Sequence, residues 1–297
     1  MGFLGTGPRE GRAFMIEPFL QGLRELGYTE NQNVFIEYRF SDDRDDQLPA
    51  LATELVTSKV DLLVVSGTPA VFAAAQATST VPIVMVSVAA NPVETGLIQS
   101  LARPGGNITG TTNMTTQLSQ KRLQLLTEIV PDLARVAIFW HPPNPTFGPV
   151  LRELEAAAQT LGLDLQRVEV LAPEDFGDAF QAATRGRAGA LVVPPDPVIS
   201  NGLSLVTDLA LQYRLPTLFE RREFVEAGGL LSYGARLVDL YRGAATLVDR
   251  ILRGTSPADL PVEQPTTFDF VINLKTAQVL GLTIPQHVLL QATEVIQ

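Results

Sequence analysis

The hydrophobic pattern alternates along the chain between short apolar runs and stretches with helical spacing. Apolar or β-branched runs predict strands at residues 2–4, 34–38, 62–65, 83–86, 136–140, 165–170, 190–193, 217–219 and 230–233. Between these runs, side chains recur at helical spacing, as at positions 19, 20, 23 and 26 and at positions 118, 122, 125, 126 and 129. Strands that alternate with helices predict βαβ units and therefore parallel sheets.

This alternation runs through the chain twice. One series fills residues 1–108, a second fills 113–230, and RPGGN at 103–107 separates them as a helix stop followed by a turn. Because 297 residues exceed one typical hydrophobic core, we expect two α/β lobes. A further helix is predicted at 238–252, followed by an extended, proline-punctuated stretch and an apolar run at 268–272. An apolar segment so late in the sequence indicates that the chain crosses back between the lobes.

Composition and charge narrow the classes of function. Hydrophobic residues make up 45% of the chain and charged residues 18%, as in an ordered globular protein. The net charge is −10 and the 22 Lys and Arg residues are scattered, which argues against nucleic-acid binding and against anionic membrane surfaces. No apolar run approaches the ~20 residues of a transmembrane helix. With no Cys and two distant His residues, His141 and His287, we expect no thiolate chemistry and no metal site.

Candidate chemistry lies in the turns that follow the predicted strands, because open parallel sheets bind ligands beyond the carboxyl ends of their strands. The turn SGTPA at 66–70 is predicted to start a helix, with Thr68 as its N-cap and Pro69 as its first residue. Such a helix end offers free N–H groups and a positive dipole to a carboxylate or phosphate. The alternative is that Ser/Thr-Pro only starts a helix.

Two rigid, proline-rich elbows follow later strands. HPPNPTF at 141–147 follows Trp140 and ends in Phe147, and the aromatic surface of these two residues suits a pocket wall. We expect His141 to be a surface loop residue. Asp196 lies in PPDP, and Glu220 follows another strand. Either carboxylate could pair with an ammonium group of a ligand, or could be an ordinary turn or helix residue.

The opening GFLGTGPREG raises the question of a nucleotide site. Its glycines follow G-x-G-x-x-x-G, one residue longer than a dinucleotide fingerprint, and Pro8 removes an N–H that a phosphate would use. Helical periodicity begins only near Phe19, with Pro18 suited to a first turn. Residues 5–9 are therefore interpreted as a flexible lip of a solute cleft, with Thr6, Gly7 and Arg9 as contacts. The sequence has no G-x-S-x-G, H-E-x-x-H or P-loop motif, so we expect a binding protein without a cofactor rather than an enzyme.

A resemblance to a known family extends over nearly the whole chain. It is carried by residues 19–28 (FLQGLRELGY), 33–39 (NVFIEYR), 48–52 (LPALA), 66–70 (SGTPA), 100–110 (SLARPGGNITG), 222–234 (REFVEAGGLLSYG) and 271–277 (VINLKTA). In this order they resemble the solute-binding proteins of ABC importers, in particular the branch labelled as tryptophan/tyrosine type or uncharacterised.

The resemblance implies an α/β protein of type I periplasmic-binding architecture. Two Rossmann-like lobes with parallel sheets would close on a ligand, lobe 1 from residues 1–110 and 235–262 and lobe 2 from 111–234 and 263–297. Three crossovers would join the lobes near 109–113, 232–235 and 261–268. The implied ligand-binding residues are Thr6, Gly7, Arg9, Ser66, Gly67, Thr68, Pro69, Ala70, Ser87, Val88, Asn91, Trp140, Asn144, Thr146, Phe147, Asp196, Glu220 and Tyr233.

It also implies a monomer that delivers an aromatic amino acid, or another aromatic or amphipathic carboxylate, to ABC permease subunits. We expect a periplasmic or extracellular position, with a signal peptide or lipid anchor trimmed from the native precursor. One departure is Asn91-Pro92-Val93, where relatives often have Asp-Pro-Val and so a charge partner for a ligand amine. Two alternatives stay open: a nucleotide-using oxidoreductase, and the ligand-sensing domain of a regulator, which would need a helix-turn-helix ahead of residue 1.

Overall fold

The protein is described by a computed structural model covering residues 1–9, 12–42, 44–144 and 147–297. The strands are β1 (Gly2–Gly5), β2 (Glu37–Phe40), β3 (Leu63–Ser66), β4 (Ile83–Val88), β5 (Ile108–Thr112), β6 (Arg135–Trp140), β7 (Asp164–Glu169), β8 (Ala190–Val193), β9 (Thr217–Phe219), β10 (Leu231–Ala235), β11 (Phe268–Asn273) and β12 (Glu294–Ile296). The helices are α1 (Ala13–Glu25), α2 (Leu48–Thr57), α3 (Thr68–Ala77), α4 (Ser119–Ile129), α5 (Phe147–Leu161), α6 (Phe176–Arg185), α7 (Pro197–Asn201), α8 (Leu203–Gln212), α9 (Arg222–Glu226), α10 (Leu237–Leu252), α11 (Leu274–Leu280) and α12 (Gln286–Leu289). Strands and helices alternate as predicted, which confirms the α/β class.

The chain forms two compact units and passes between them three times. Unit 1 comprises Met1–Met114 and Arg236–Thr267, and unit 2 comprises Thr115–Ala235 and Phe268–Gln297. Unit 1 extends a few residues beyond positions 110 and 262, where the predicted lobe 1 ends. The physical reason is backbone pairing, because the N–H of Thr112 donates to the carbonyl oxygen of Glu263 at 3.0 Å.

Unit 1 contains a five-stranded parallel sheet in the order β2-β1-β3-β4-β5. Successive side chains of a strand point to opposite faces. Phe3 and Val64 therefore lie in one core cluster, together with residues of α1 and α10, while Leu4 and Val65 lie in another with residues of α2 and α3. Both faces of the sheet are thus covered by helices, as parallel sheets require.

Unit 2 contains a seven-stranded sheet in the order β12-β11-β10-β9-β8-β6-β7. Its pairs are parallel except for β10 with β11, which run antiparallel, so the sheet is mostly parallel, in agreement with the predicted α/β lobe. Ile138 packs on one face with residues of α4 and α5, and Phe139 packs on the other with residues of α6 and α8. The carboxyl ends of β6, β8, β9 and β10 therefore lie at one edge of this sheet.

Two element boundaries of unit 1 differ from the prediction. The first helix begins at Ala13 rather than near Phe19, and Pro18 lies inside it. The second strand begins at Glu37, not at Val34, because the register of β1 pairs Gly2 with Glu37. Residues 6–12 still separate β1 from α1, so several residues stand between strand and helix as predicted, although fewer than a helix start near Phe19 would give.

Candidate functional site

The loop after β1 is held in place by groups of unit 1 itself. Gly7 has a positive φ of 69°, and its N–H donates to the hydroxyl of Ser41 at 3.0 Å. Arg12 Nε donates to the carbonyl oxygen of Thr6 at 3.1 Å, and Thr6 is buried. The Gly7 N–H is thus already bonded, which weighs against this loop as a phosphate cradle.

Arg9 stands in the same loop and is exposed. Its guanidinium lies 4.2 Å from the centroid of the Tyr38 ring, within cation–π distance. Burial raises the pKa of the Tyr38 hydroxyl well above its usual value, so that side chain stays neutral. Of the predicted lip residues, Arg9 is the one that presents a cation to solvent.

The turn after β3 brings five predicted residues together, from Ser66 to Ala70. The helix starts one residue earlier than predicted, since Gly67 is the N-cap and Thr68, not Pro69, is the first helical residue. The side chains of Thr68 and Ala70 are buried, so these residues offer backbone groups rather than side chains to a ligand. Gly67 supplies no side-chain cap, and its φ is 96°. The first turn of this ten-residue helix therefore presents N–H groups that suit a carboxylate.

The close fit of this turn against the β1 loop explains the glycine. A Cβ on residue 67 would lie 2.8 Å from Thr6 Oγ1 and 3.0 Å from Thr6 Cγ2. Both the positive φ and the approach of Thr6 thus disfavour a side chain at Gly67. Thr6 of the loop after β1 thus packs directly against the start of α3 in unit 1.

Ser66 is partly exposed at the end of β3, and its hydroxyl contacts the hydroxyl of Tyr241 from α10. Tyr241 is 2% exposed, and its hydroxyl also lies 3.3 Å from Met15 Sδ. Sequence reasoning missed Tyr241, because it lies 175 residues from Ser66 in a helix that reads as ordinary amphipathic surface and core.

The backbone at the end of β4 departs from regular strand geometry. Ser87 has φ 53°, a left-handed conformation, and the pairing of β4 with β5 shifts between Met85 and Val88. The Ser87 N–H donates to Thr111 Oγ1 at 3.0 Å, which holds this bulge. Ser87 remains partly exposed, but the Val88 side chain is fully buried in the core, so Val88 offers no side-chain contact at this edge.

Asn91 stabilises the turn that follows. Its Oδ1 accepts the N–H of Val93 at 3.1 Å, and its Nδ2 donates to Glu94 at 2.8 Å. This is the local bonding of an Asx turn, so the structure gives Asn91 a structural role in unit 1.

In unit 2, Trp140 and Phe147 form an edge-to-face aromatic pair. Their ring centroids lie 5.7 Å apart with an interplanar angle of 88°. Trp140 is partly exposed at the end of β6, whereas Phe147 is 1% exposed and belongs to the core. Phe147 therefore supports Trp140 rather than forming the wall itself, and the predicted contact Thr146 lies outside the described residues.

Asp196 connects the two elbows of unit 2. Its Oδ2 lies 2.8 Å from His141 Nδ1 and accepts Asn144 Nδ2 at 2.7 Å. Its Oδ1 accepts the N–H of Val198 at 2.8 Å and so caps α7. Both carboxylate oxygens are bonded and the side chain is fully buried, so of the two alternatives for Asp196 this geometry favours a structural role over contact with a ligand ammonium group. His141, expected to be a surface loop residue, is instead part of this network.

Glu220 lies in a second buried network of unit 2. Its Oε1 accepts the Thr115 hydroxyl at 2.6 Å, and its Oε2 lies 3.3 Å from Arg122 Nη2. Arg122 Nε donates to the carbonyl oxygen of Tyr233 at 2.8 Å, and Nη1 donates to that of Thr115 at 3.0 Å. Burial lowers the pKa of Arg122, and the charge of Glu220 opposes that shift. Glu220 is thus hydrogen-bonded to Thr115 and paired by charge with Arg122, while Oε2 lies buried without a hydrogen bond among the described residues.

Tyr233 completes the unit 2 residues named from the sequence. Its ring stacks on Phe268 at 6.0 Å with an interplanar angle of 11°, and it meets Phe270 edge to face at 5.9 Å. Tyr233 is partly exposed, and burial raises the pKa of its hydroxyl. Tyr233 and Trp140 therefore present partly exposed aromatic surface in unit 2.

Among the described residues, no three His, Asp or Glu side chains come together to hold a metal ion. Within the same residues, no helix is long and apolar enough to cross a membrane.

The sequence and fold are similar to those of solute-binding proteins. A family model described as ABC transporter substrate binding protein matches residues 9–296. A tyrosine-binding protein of Clostridioides difficile is 25% identical over 264 residues, which are 89% of this chain and 75% of the relative. A crystal structure of an ABC domain in complex with L-Trp from Streptococcus pneumoniae is 28% identical, with a TM-score of 0.91 over 99% of this chain and 98% of that chain. A conserved domain protein of Vibrio cholerae is 26% identical, with a TM-score of 0.92 over the same shares.

Proposed function

The chain belongs to the family of ABC transporter substrate-binding proteins, and we propose that it captures a small aromatic carboxylate for an ABC importer. The proposed solute is an aromatic amino acid, tryptophan or tyrosine, or a related aromatic acid. The similarity to a structure that holds L-Trp and to a tyrosine-binding protein supports this class. In this proposal the chain has two lobes, residues 1–110 with 235–262 and residues 111–234 with 263–297, and the carboxylate of the solute binds to lobe 1.

The single observation that carries the proposal is the start of α3 in unit 1. Gly67 leaves the first turn of this helix without a side-chain cap, and Ser66 places a hydroxyl immediately before it. N–H groups at a helix start, together with the positive end of the helix dipole, stabilise a bound carboxylate. The proposed anchor is therefore Ser66 with the backbone of Gly67, Thr68 and Ala70.

The aromatic part of the solute is assigned to partly exposed rings. Trp140 and Tyr233 present ring surface in unit 2, and each is braced by a neighbouring aromatic side chain. Arg9 adds an exposed guanidinium beside Tyr38 in unit 1. Braced rings keep their orientation, so they stack on a ligand at little entropic cost.

The ammonium group of an amino acid has weaker support than the carboxylate. Asp196 and Glu220 are already bonded within unit 2, and position 91 holds a neutral Asn. We therefore propose that the carboxylate and the ring supply most of the affinity. Aromatic acids that lack the ammonium group are then also ligands.

The proposed role is binding and delivery rather than catalysis. The protein would act outside the cytoplasmic membrane, as a monomer, and present the closed, loaded form to the permease subunits of the importer. Because a ligand that favours the closed form shifts the population towards it, delivery would depend on solute occupancy.

Isothermal titration calorimetry with four related compounds tests this function. L-tryptophan and L-tyrosine test the class, indole-3-propionate lacks the ammonium group, and tryptamine lacks the carboxylate. We expect indole-3-propionate to bind within about tenfold of L-tryptophan, and tryptamine to bind about a hundredfold more weakly, because a charge-assisted anchor is lost. Absence of binding by all four compounds at about 1 mM, or binding of NAD or NADP instead, would contradict the proposal.

A further inference from the structure

Tyr241 lies beneath the proposed carboxylate anchor, although nothing in its local sequence marks it as part of a site. Its ring belongs to the core of unit 1, and its hydroxyl contacts the partly exposed hydroxyl of Ser66. We propose that Tyr241 is a positioning residue that donates its hydroxyl hydrogen to Ser66, which leaves the hydrogen of Ser66 to be donated to the ligand carboxylate. This inference rests on the proposed function.

The direction of the hydrogen bond follows from the acceptors near Tyr241. Its single hydroxyl hydrogen has Ser66 Oγ and Met15 Sδ within reach. A hydroxyl oxygen is a good acceptor and a thioether sulfur is a weak one. Met15 Sδ also faces Arg12 Nη1 at 3.9 Å, a second donor that competes for it. Of these two acceptors, Ser66 is therefore the better one for the Tyr241 hydrogen.

The acidity of the two hydroxyls gives the same direction. A phenol is a stronger acid than an aliphatic alcohol, so it is the better donor of the pair. Ser66 then accepts from Tyr241 with one lone pair, and its own hydrogen remains for a third group. In a chain of hydrogen bonds each link polarises the next, which strengthens the outer bond to a charged acceptor.

The hydrogen-bonded pair of Tyr241 and Ser66 lies next to the other donors of the anchor. Ser66 ends β3, and the uncapped first turn of α3 begins two residues later. A carboxylate at this point accepts from the Ser66 hydroxyl with one oxygen and from helix N–H groups with the other. Because Tyr241 is 2% exposed and packed in the core, it holds the Ser66 hydroxyl without adjusting to the ligand.

The test is a double-mutant cycle with Tyr241→Phe and Ser66→Ala, measured by calorimetry with L-tryptophan and with L-tryptophanamide. We expect Tyr241→Phe to weaken L-tryptophan binding about fivefold to tenfold, and binding of the uncharged amide by no more than about twofold. Since Tyr241 acts through Ser66, the double variant should bind L-tryptophan as Ser66→Ala alone does. A residue that only supported the fold would weaken both ligands alike.

Tyr28→Phe is the matched control. Tyr28 also lies in unit 1 and also contacts α10, where its hydroxyl donates to Asp249 Oδ1 at 2.9 Å, but it has no part in the anchor. It should leave the affinity unchanged. Met15→Leu is a second variant, which removes the competing acceptor while preserving apolar volume. It too should leave the affinity unchanged, whereas a Tyr241 hydrogen that normally goes to Met15 would be redirected to Ser66 and would change the affinity.

The outcomes separate this inference from the function on which it rests. Failure of the wild-type protein to bind the aromatic carboxylates would overturn both. If the wild-type protein binds normally, three results would overturn the proposed role of Tyr241 and leave the function standing. These are multiplicative effects of the two substitutions in the double variant, an unchanged affinity in Tyr241→Phe, and a changed affinity in Met15→Leu.

Discussion

The guanidinium of Arg122 and the carboxylate of Glu220 lie 3.3 Å apart inside unit 2, and each side chain is 5% exposed. Arg122 also donates to the carbonyl oxygens of Thr115 and Tyr233. Thr115 begins the first stretch of chain in unit 2, which ends at Ala235, two residues after Tyr233. Arg122, paired with Glu220, therefore links the two ends of this stretch through its hydrogen bonds.

Glu220→Ala should strongly destabilise unit 2, because it leaves the Arg122 charge buried without its partner. We expect a loss of about 3–5 kcal/mol in the free energy of unfolding. Trp140, the single tryptophan of the chain, lies in unit 2, so its fluorescence during urea unfolding measures this change. Glu226→Ala is the control: Glu226 pairs with Arg222 at 2.8 Å on the surface and should cost less than about 1 kcal/mol. Equal costs for the two variants would contradict the prediction.

Local hydrophobic pattern predicted the elements whose limits are set by their own side chains. The runs at 190–193 and 217–219 coincide with the buried strands β8 and β9. It was wrong at the first helix, where six residues before Phe19 are already helical although Pro18 suggested a start. The stretch from Ala13 has no acidic residue or side-chain cap at its start to mark the boundary.

The buried polar networks could be predicted only in part, because they join residues far apart in sequence. Thr115 and Glu220 are separated by 105 residues, and Ser66 and Tyr241 by 175. Arg122 did carry a signal, since it occupies a position in a helical series that is otherwise apolar. A charge at such a position indicates a buried partner, but not which carboxylate supplies it.

Asp196→Ala should loosen the elbow beside Trp140, because Asp196 holds His141 and Asn144 and caps α7. We expect a loss of about 2–3 kcal/mol in the free energy of unfolding, since a cap and further charge-assisted hydrogen bonds are removed together. The weakening of ligand binding should be equal for L-tryptophan and indole-3-propionate.

Asp175→Ala is the matched control, because Asp175 also accepts two backbone N–H groups of unit 2 but is partly exposed, directly before α6. It should leave ligand affinity unchanged. A selective loss of L-tryptophan binding by Asp196→Ala would show instead that Asp196 contacts the ammonium group.

Tyr38→Phe should reduce the alkaline sensitivity of unit 1. Burial raises the pKa of Tyr38 above the value of about 10 expected for the unfolded chain. The unfolded state then loses this proton first, so the contribution of the neutral phenol is present below pH 10 and is lost as the pH rises further. Because Tyr38 is only half-buried, we expect a difference of at most about 1 kcal/mol between wild type and variant near pH 11. Urea midpoints followed by circular dichroism should agree near pH 8, and an equal fall of both proteins above pH 10 would refute the prediction.

Gly67→Ala should impair ligand binding through the start of α3. A positive φ and crowding by Thr6 both contribute, and Gly254→Ala serves to separate them. Both glycines have φ 96°, but a Cβ at Gly254 meets nothing within 4 Å, whereas one at Gly67 lies 2.8 Å from Thr6 Oγ1. Gly254→Ala thus measures the cost of a positive φ without crowding, about 1 kcal/mol. Gly67→Ala should cost more, by about 1–3 kcal/mol, and should also weaken L-tryptophan binding because the first-turn N–H groups shift. Adding Thr6→Ala to Gly67→Ala removes the crowding atoms, so it should restore affinity while the backbone cost remains. Failure of Thr6→Ala to restore any affinity would mean that the backbone conformation of Gly67, and not its contact with Thr6, determines the geometry of the anchor.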